Sequence, residues 1–299
     1  MNRTPGLAAL EADLAAVPGT VSIWCGRPGS VLCGRPSQVR FGRPSQVPAY
    51  SRNAWHTHDA ASTMKVAVMV AAYHLAEVGS LHLDREVAVH DDFASAAGGG
   101  LTYRSTADYD SDPEPWSRLG GTAPLRWLVG RMIVRSSNLA TNHVLEHTGL
   151  AAVAAAWTAA GARDAVVARG IQDEPAKRSG LANLVTASDL AGLMGALARG
   201  ARRSSSWRHV APAGCREMLD VLLAQEITED VVRGLPSGTP VAHKNGWLDG
   251  VRHSAALIQP PDAPAYVLVT CLTAPLSHAD ACAVVERVAA ASWTDRFAL

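Results

Sequence analysis

The chain has 299 residues, 48% hydrophobic and 18% charged, which is enough to bury a large core and excludes the disordered and fibrous classes. Its 27 acidic and 27 basic side chains balance to a formal net charge of zero, so the electrostatic footprint of a nucleic-acid or anionic-membrane binder is missing. The composition favours a small-molecule substrate, with no nucleic-acid partner, no membrane partner and a monomer as the default state.

The chain opens with a helical pattern, "GLAALEADLAAV", followed by an alternating strand, "GTVSIWCG". G-R-P then recurs at positions 26, 34 and 42, a period of eight that is too short for a solenoid and reads as a duplicated surface loop. From Ser62 to Val78 the spacing predicts a helix stopped by Gly79, and "LHLDREVAV" predicts a short extended segment. Residues 91–116 are rich in Gly, Ser, Asp and Pro and read as a long loop.

Helical patterns resume in "PLRWLVGRMIV", "NLATNHVLEHTG", "LAAVAAAWTAAG" and "TASDLAGLMGALARG", and again in "GCREMLDVLLAQ". Three strands follow, "PVAHKNGW", "GVRHSAALIQP" and "AYVLVTCLT", before a closing helix, "HADACAVVERVAAASW". The fold class this order predicts is α+β: an antiparallel sheet carrying the terminal helices, beside a separate all-helical lobe. The expected domains are 1–60 with 211–299 for the sheet lobe and 61–210 for the helical lobe, with the active site in the cleft between them.

Five cysteines without C-x-x-C spacing argue against a disulfide framework and fit a reducing compartment. Glu11 and Asp13 interrupt what would be the apolar core of a signal peptide, so the expected location is cytoplasmic, or periplasmic or secreted if a leader has been removed. His143 and His147 are four apart on a helix, and His56 and His58 flank the predicted nucleophile helix. With no third ligand and no H-E-x-x-H they read as solvated or core histidines, so neither a metal nor a cofactor is expected.

Only three of the 27 basic side chains are lysine: Lys65, Lys177 and Lys244. A lysine kept where arginine is the habit offers what arginine lacks, an ammonium that burial can bring into titration range. Lys65 lies three residues after Ser62 and so shares a helix face with it. A serine hydroxyl attacks only when a base takes its proton, and a neutral lysine can be that base. "SSN" at Ser136-Ser137-Asn138 and "KNG" at Lys244-Asn245-Gly246 follow it along the chain.

S-x-x-K, S-x-N and K-x-G in this order resemble the motif set of the class A β-lactamases and penicillin-binding proteins. "GSLHLDREV", "GGGL", "TASDLAGLM" and "HKNGWLDGVRH" extend the resemblance from about residue 19 to the C-terminus. The resemblance implies a fold of sheet lobe plus helical lobe. It implies Ser62 as the acylated nucleophile, Lys65 as its general base or proton relay, and Ser136 as the proton donor to a leaving nitrogen. Asn138 would bind a substrate amide, and Lys244 would attract a substrate carboxylate and tune Ser136. Gly246 would let the strand approach closely, and the backbone N–H groups of Ser62 and Trp247 would form the oxyanion hole.

The chain also departs from that family. Class A enzymes use a glutamate on a later loop to activate the hydrolytic water, and Gln172 stands at its place, with Asp173 or Glu174 as substitutes if the register slips. Ser137 replaces a usual Asp. Asn245 replaces the hydroxyl of K-T-G, which touches substrate binding. The 102–118 loop, with its four acids and Tyr103, Tyr109 and Trp116, is expected to shape the cleft mouth. Three readings remain open: a serine hydrolase of the class A type that opens β-lactams or related amides and esters through an acyl-Ser62 intermediate, with deacylation in question where Gln172 replaces the glutamate; a cytoplasmic acyltransferase or amidase whose acyl-enzyme is resolved by a nucleophile other than water; and a binding or sensing protein that acylates once and stays trapped or is inert.

Overall fold

The structure is a computed structural model that describes residues 6–29, 48–202 and 207–299. The second and third G-R-P copies lie outside the described residues, as does Cys33; the four described cysteines, Cys25, Cys215, Cys271 and Cys282, are free and buried. A 3-10 turn at Leu7–Leu10 leads into α1 (Glu11–Ala15), β1 (Thr20–Gly26), β2 (Tyr50–Arg52) and β3 (Thr57–Asp59). A second 3-10 turn, Ala61–Met64, opens α2 (Lys65–Glu77), and β4 (Glu86–Ala88), β5 (Asp92–Ala94) and β6 (Thr102–Arg104) follow.

Next come α3 (Pro113–Trp116), β7 (Thr122–Pro124), α4 (Leu125–Val134) and α5 (Asn138–Ala159). The chain continues through α6 (Glu174–Arg178), β8 (Leu184–Thr186), α7 (Ala187–Gly200) and α8 (Pro212–Leu223). It ends with β9 (Val241–Leu248), β10 (Val251–Ile258), β11 (Tyr266–Thr273) and α9 (His278–Asp295). The fold is α+β.

The main sheet is antiparallel, in the order β2-β1-β11-β10-β9. β10 and β11 are buried nearly throughout, because both faces of the sheet are covered. On one face α9 and the N-terminal turn bury Leu7, Leu10, Val285 and Val288 against Ile23 and Leu268. On the other, Trp24, Ala255, Val269 and Cys271 belong to a core that runs on into α2, α5 and α7. α7 belongs to the 61–210 segment by sequence, yet it packs against β1, β10 and β11, so sheet and helices share one apolar interior.

α2 is the spine that carries the nucleophile motif. Every residue from Lys65 to Tyr73 is buried, and a helix apolar on all sides belongs in the interior. α5, α4 and α8 pack around it. The expected single helix from Ser62 begins instead as the 3-10 turn, because Ala61 adopts the left-handed region (φ 41°) and sets the chain off the α-helical path.

The 91–116 stretch is not a structureless loop. Phe93 pairs with Tyr103 across the β5–β6 hairpin. The Asp112 carboxylate caps α3 by accepting from the Glu114 N–H at 3.2 Å, with Pro113 preset for the first turn. Asp112 is fully buried and ion-paired to Arg131 of α4, which ties the segment down. α5 is broken at Gly149 (φ 72°), where the sequence separates two helical patterns.

Candidate active site

Ser62 sits in the 3-10 turn, and the backbone around it is held from several directions. The Ala60 N–H donates to the Asn183 carbonyl (2.9 Å), and the Ala61 N–H to the Asp59 carboxylate (2.9 Å). From beneath, His253 Nε2 donates to the Asp59 carbonyl at 2.8 Å while its Nδ1 accepts from the Leu272 N–H at 3.1 Å. These bonds stabilise a positive φ at Ala61 that a non-glycine residue resists. His58, also buried, is satisfied by Ser22 Oγ and Thr273 Oγ1, both at 2.8 Å.

β9 runs directly against this turn. A Cβ on Gly246 would stand 2.7 Å from the Ser62 nitrogen and 3.0 Å from the Thr63 nitrogen, so only glycine fits. Gly246→Ala is expected to push strand and turn apart, at a cost of about 1–3 kcal/mol in urea unfolding, and to slow acylation of Ser62 well beyond that stability loss. Full acylation speed in the alanine variant would mean the approach has no role in the chemistry.

Lys65 and Lys244 converge on one hydroxyl. Both are fully buried. Lys65 Nζ donates to the Ser136 carbonyl (2.7 Å), Ser136 Oγ (3.3 Å), the Ser137 carbonyl (3.4 Å) and Asn138 Oδ1 (2.8 Å). Lys244 Nζ donates to the same Ser136 Oγ at 3.0 Å and to the Asn245 carbonyl at 2.7 Å. Burial brings the Lys65 ammonium down to about 7, against an upward pull from the Asp110 carboxylate. Burial and the neighbouring charge of Lys65 hold Lys244 well below the ordinary lysine range. Ser136 itself has a positive φ of 59°.

The 102–118 segment reaches into this site through Asp110. Its Oδ2 accepts from the Asn138 N–H (3.0 Å), the Leu139 N–H (2.8 Å), Ser137 Oγ (3.1 Å) and Trp116 Nε1 (3.0 Å). A carboxylate at the positive end of α5 is favourably placed, and it orients the turn that carries Ser136 and Asn138. Asn138 Nδ2 donates to the Tyr109 carbonyl at 2.5 Å. Ser62, Ser136, Asn138, Gln172 and Trp247 all line one cleft of about 730 Å3, with Tyr109 and Asp110 beside them.

A family model described as the β-lactamase enzyme family matches residues 37–295. The chain belongs to that family. Among solved structures, a β-lactamase from Sphaerobacter thermophilus is 25% identical over 96% of this chain and 95% of its own, with a TM-score of 0.73. A β-lactamase from Xanthomonas campestris pv. campestris is 17% identical over 97% and 96%, with a TM-score of 0.75. The structure named PBP-A is 17% identical over 100% of each chain, with a TM-score of 0.74. At 17% the last two establish the fold alone. No curated protein matches the chain.

Gln172 lines the cleft in a left-handed conformation (φ 65°), and its amide is tied to Thr106: Oε1 accepts from the backbone N–H at 3.1 Å and Nε2 donates to Oγ1 at 2.9 Å. Asp173 is not available as a substitute base. Its buried carboxylate accepts from Ser95 Oγ (2.6 Å), the Ala96 N–H (2.8 Å) and the Ala176 N–H (3.1 Å), because it caps α6 and anchors the segment after β5. Glu174 is on the rim of the cleft, 3.7 Å from Lys177.

Asn245 is not among the cleft-lining residues, contrary to its expected contact with substrate. It is fully buried, and its Nδ2 donates to the Ile227 carbonyl at 3.1 Å, beside the Arg252–Asp230 ion pair. The interior around that pair needs polar neighbours, and Asn245 has been drawn into it. Asp110 is the residue whose function the sequence concealed. It brings from the 102–118 segment a carboxylate to the turn where class A enzymes usually have one at the position of Ser137.

Proposed function

We propose that the protein is a serine hydrolase that opens β-lactam or related amide and ester bonds through an acyl-Ser62 intermediate and releases the acyl group slowly. The observation that carries this is the pair of buried lysines meeting at Ser136 Oγ beside the Ser62 turn. Neutral Lys65, alone or through Ser136, takes the proton of Ser62 as the oxygen attacks the carbonyl. The N–H groups of Ser62 and Trp247 take the developing oxyanion, and Ser136 returns a proton to the leaving nitrogen. Slow release follows from Gln172, since an amide bound to Thr106 orients a water without accepting its proton. That a PBP-A mutant has been solved as an acyl-enzyme complex with penicillin G supports β-lactams as the first probes.

The test mixes the protein with a penicillin and a cephalosporin and follows hydrolysis together with intact mass. The expected result is a covalent adduct that outlasts the mixing and is missing in Ser62→Ala. Absence of both turnover and adduct would refute the proposal for β-lactams.

The pH dependence of adduct formation is fixed by Lys65. Its folded value, near 7, lies below the ordinary lysine value of 10.5, so the neutral, proton-accepting form dominates above about 7 and is lost as pH falls. The acylation rate is expected to rise about tenfold per pH unit from below and level off above about 7. A flat profile from about pH 5 to 9 would remove Lys65 as the base.

A further inference from the structure

One face of α5 beyond Asn142 is used by no step above. His90, from the connection between β4 and β5, meets His143 and Glu146 there, and one ligand atom from each lies within 4.8 Å of the other two. His143 is fully buried. Its Nε2 faces the His90 backbone, 2.9 Å from the carbonyl and 3.2 Å from the N–H. In the tautomer that donates to the carbonyl, the shorter contact, Nδ1 carries a lone pair. Among the described residues that atom has no hydrogen-bond partner, and a Glu146 carboxylate oxygen stands 3.7 Å away. The same oxygen is 3.2 Å from His90 Nε2.

A buried lone pair turned towards a carboxylate is unfavourable by itself, and a cation placed between them turns the repulsion into two bonds. We propose that His90 Nε2, His143 Nδ1 and Glu146 Oε2 form a binding site for a divalent transition-metal ion, with zinc as the best chemical match. Two imidazoles and a carboxylate with one position left to water are an ordinary zinc donor set. A backbone carbonyl on the other ring nitrogen fixes the tautomer a metal-bound histidine needs. Four-coordinate zinc holds its ligands roughly 3.3 Å apart. His90 and Glu146 already meet that spacing, and both are partly exposed, so they can close on the ion and admit it from solvent.

By sequence spacing His143 pairs with His147, but the fold gives it His90 and Glu146 instead. A second cluster, Glu229, His278 and Cys282, is weaker, because Glu229 Oε1 already holds the Arg252 guanidinium at 3.1 Å. The bound ion would clamp the β4–β5 connection to α5. The β5–β6 region beyond it carries Ser95 and Ser105, which hold Asp173 (2.6 Å) and Asn142 (2.9 Å) under the Gln172 loop. The role is a structural clamp, and the ion takes no part in the acylation chemistry.

The test is calorimetric titration of the tag-free full chain with zinc chloride, with thermal unfolding measured alongside. One ion per chain is expected, with the folded-to-unfolded ratio rising about a hundredfold at zinc a hundred times its dissociation constant. Cobalt(II) is expected to bind competitively and give the visible spectrum of a four-coordinate site. Glu146→Gln and His90→Asn, both at the surface and expected to fold, should each lose binding, whereas Cys282→Ser should retain it. No binding to the parent chain overturns the proposal, as does binding that survives in both surface variants or disappears in Cys282→Ser.

Discussion

Lys65→Met is expected to reduce the rate of Ser62 acylation by about a thousandfold. Methionine fills much of the same buried volume without carrying a charge, so the change removes the proton acceptor while sparing the packing around α2. It also removes donors from the Ser136 and Ser137 carbonyls and from Asn138 Oδ1, which lie at 2.7, 3.4 and 2.8 Å. Those acceptors then face a cavity, and some loss of stability is expected as well. Two measurements separate the effects: the first-order rate of adduct formation by stopped intact-mass sampling, and the urea midpoint of the same variant. A rate within about tenfold of the parent, in a folded variant, would show that another group activates Ser62. Lys65→Arg is the companion variant. It preserves the charge but cannot give it up near neutral pH, and is expected to acylate no faster than Lys65→Met.

Gln172→Glu is expected to shorten the life of the adduct by about a hundredfold while leaving its formation within a few-fold of the parent. Gln172 already lines the cleft with Ser62 and Ser136, so the substitution exchanges an amide for a carboxylate at the same reach. The carboxylate gives up the bond that the amide nitrogen donates to Thr106 Oγ1 but can accept from that hydroxyl and from the Thr106 N–H. Adduct decay is read after removing free β-lactam. An unchanged lifetime places water activation elsewhere, and Glu174→Gln then becomes the informative variant, since Glu174 shares the cleft lining.

The parts of this molecule that sequence made legible are those governed by local rules. Alternation and burial marked β1 and the three C-terminal strands, and apolar spacing marked α4, α7, α8 and α9, because each buries a face it must repeat along its own length. Scarcity of lysine singled out Lys65 and Lys244, and both are fully buried and meet at the hydroxyl of the cleft-lining Ser136. What depended on distant partners was concealed. Asp110 lies 28 residues from the Asn138 N–H it accepts from, and no periodicity announces such a cap. Pro113 and Asp112 offered a local helix start, but the short length of α3 hid it inside a stretch rich in turn residues. Asn245 was misplaced because motif position says which strand a residue is on, while its side chain followed the buried charge at Asp230. Likewise His90 is 53 residues from His143, so only the fold could introduce them.

The carbonyl of Tyr109, resting 2.5 Å from the Asn138 amide nitrogen, has a consequence for ligand choice. The chain presents to Asn138 the same functional group that a peptide-like ligand would bring, so the seat is taken by an internal competitor. A newcomer trades one carbonyl for another, and the net gain from that hydrogen bond falls below the usual 1 kcal/mol or so. Discrimination among ligands then shifts from this bond to whatever else the newcomer fills once Tyr109 is displaced. On the proposed reading, a ligand that uses Asn138 has to displace the Tyr109 carbonyl, which favours ligands able to replace the contacts of the 102–118 segment.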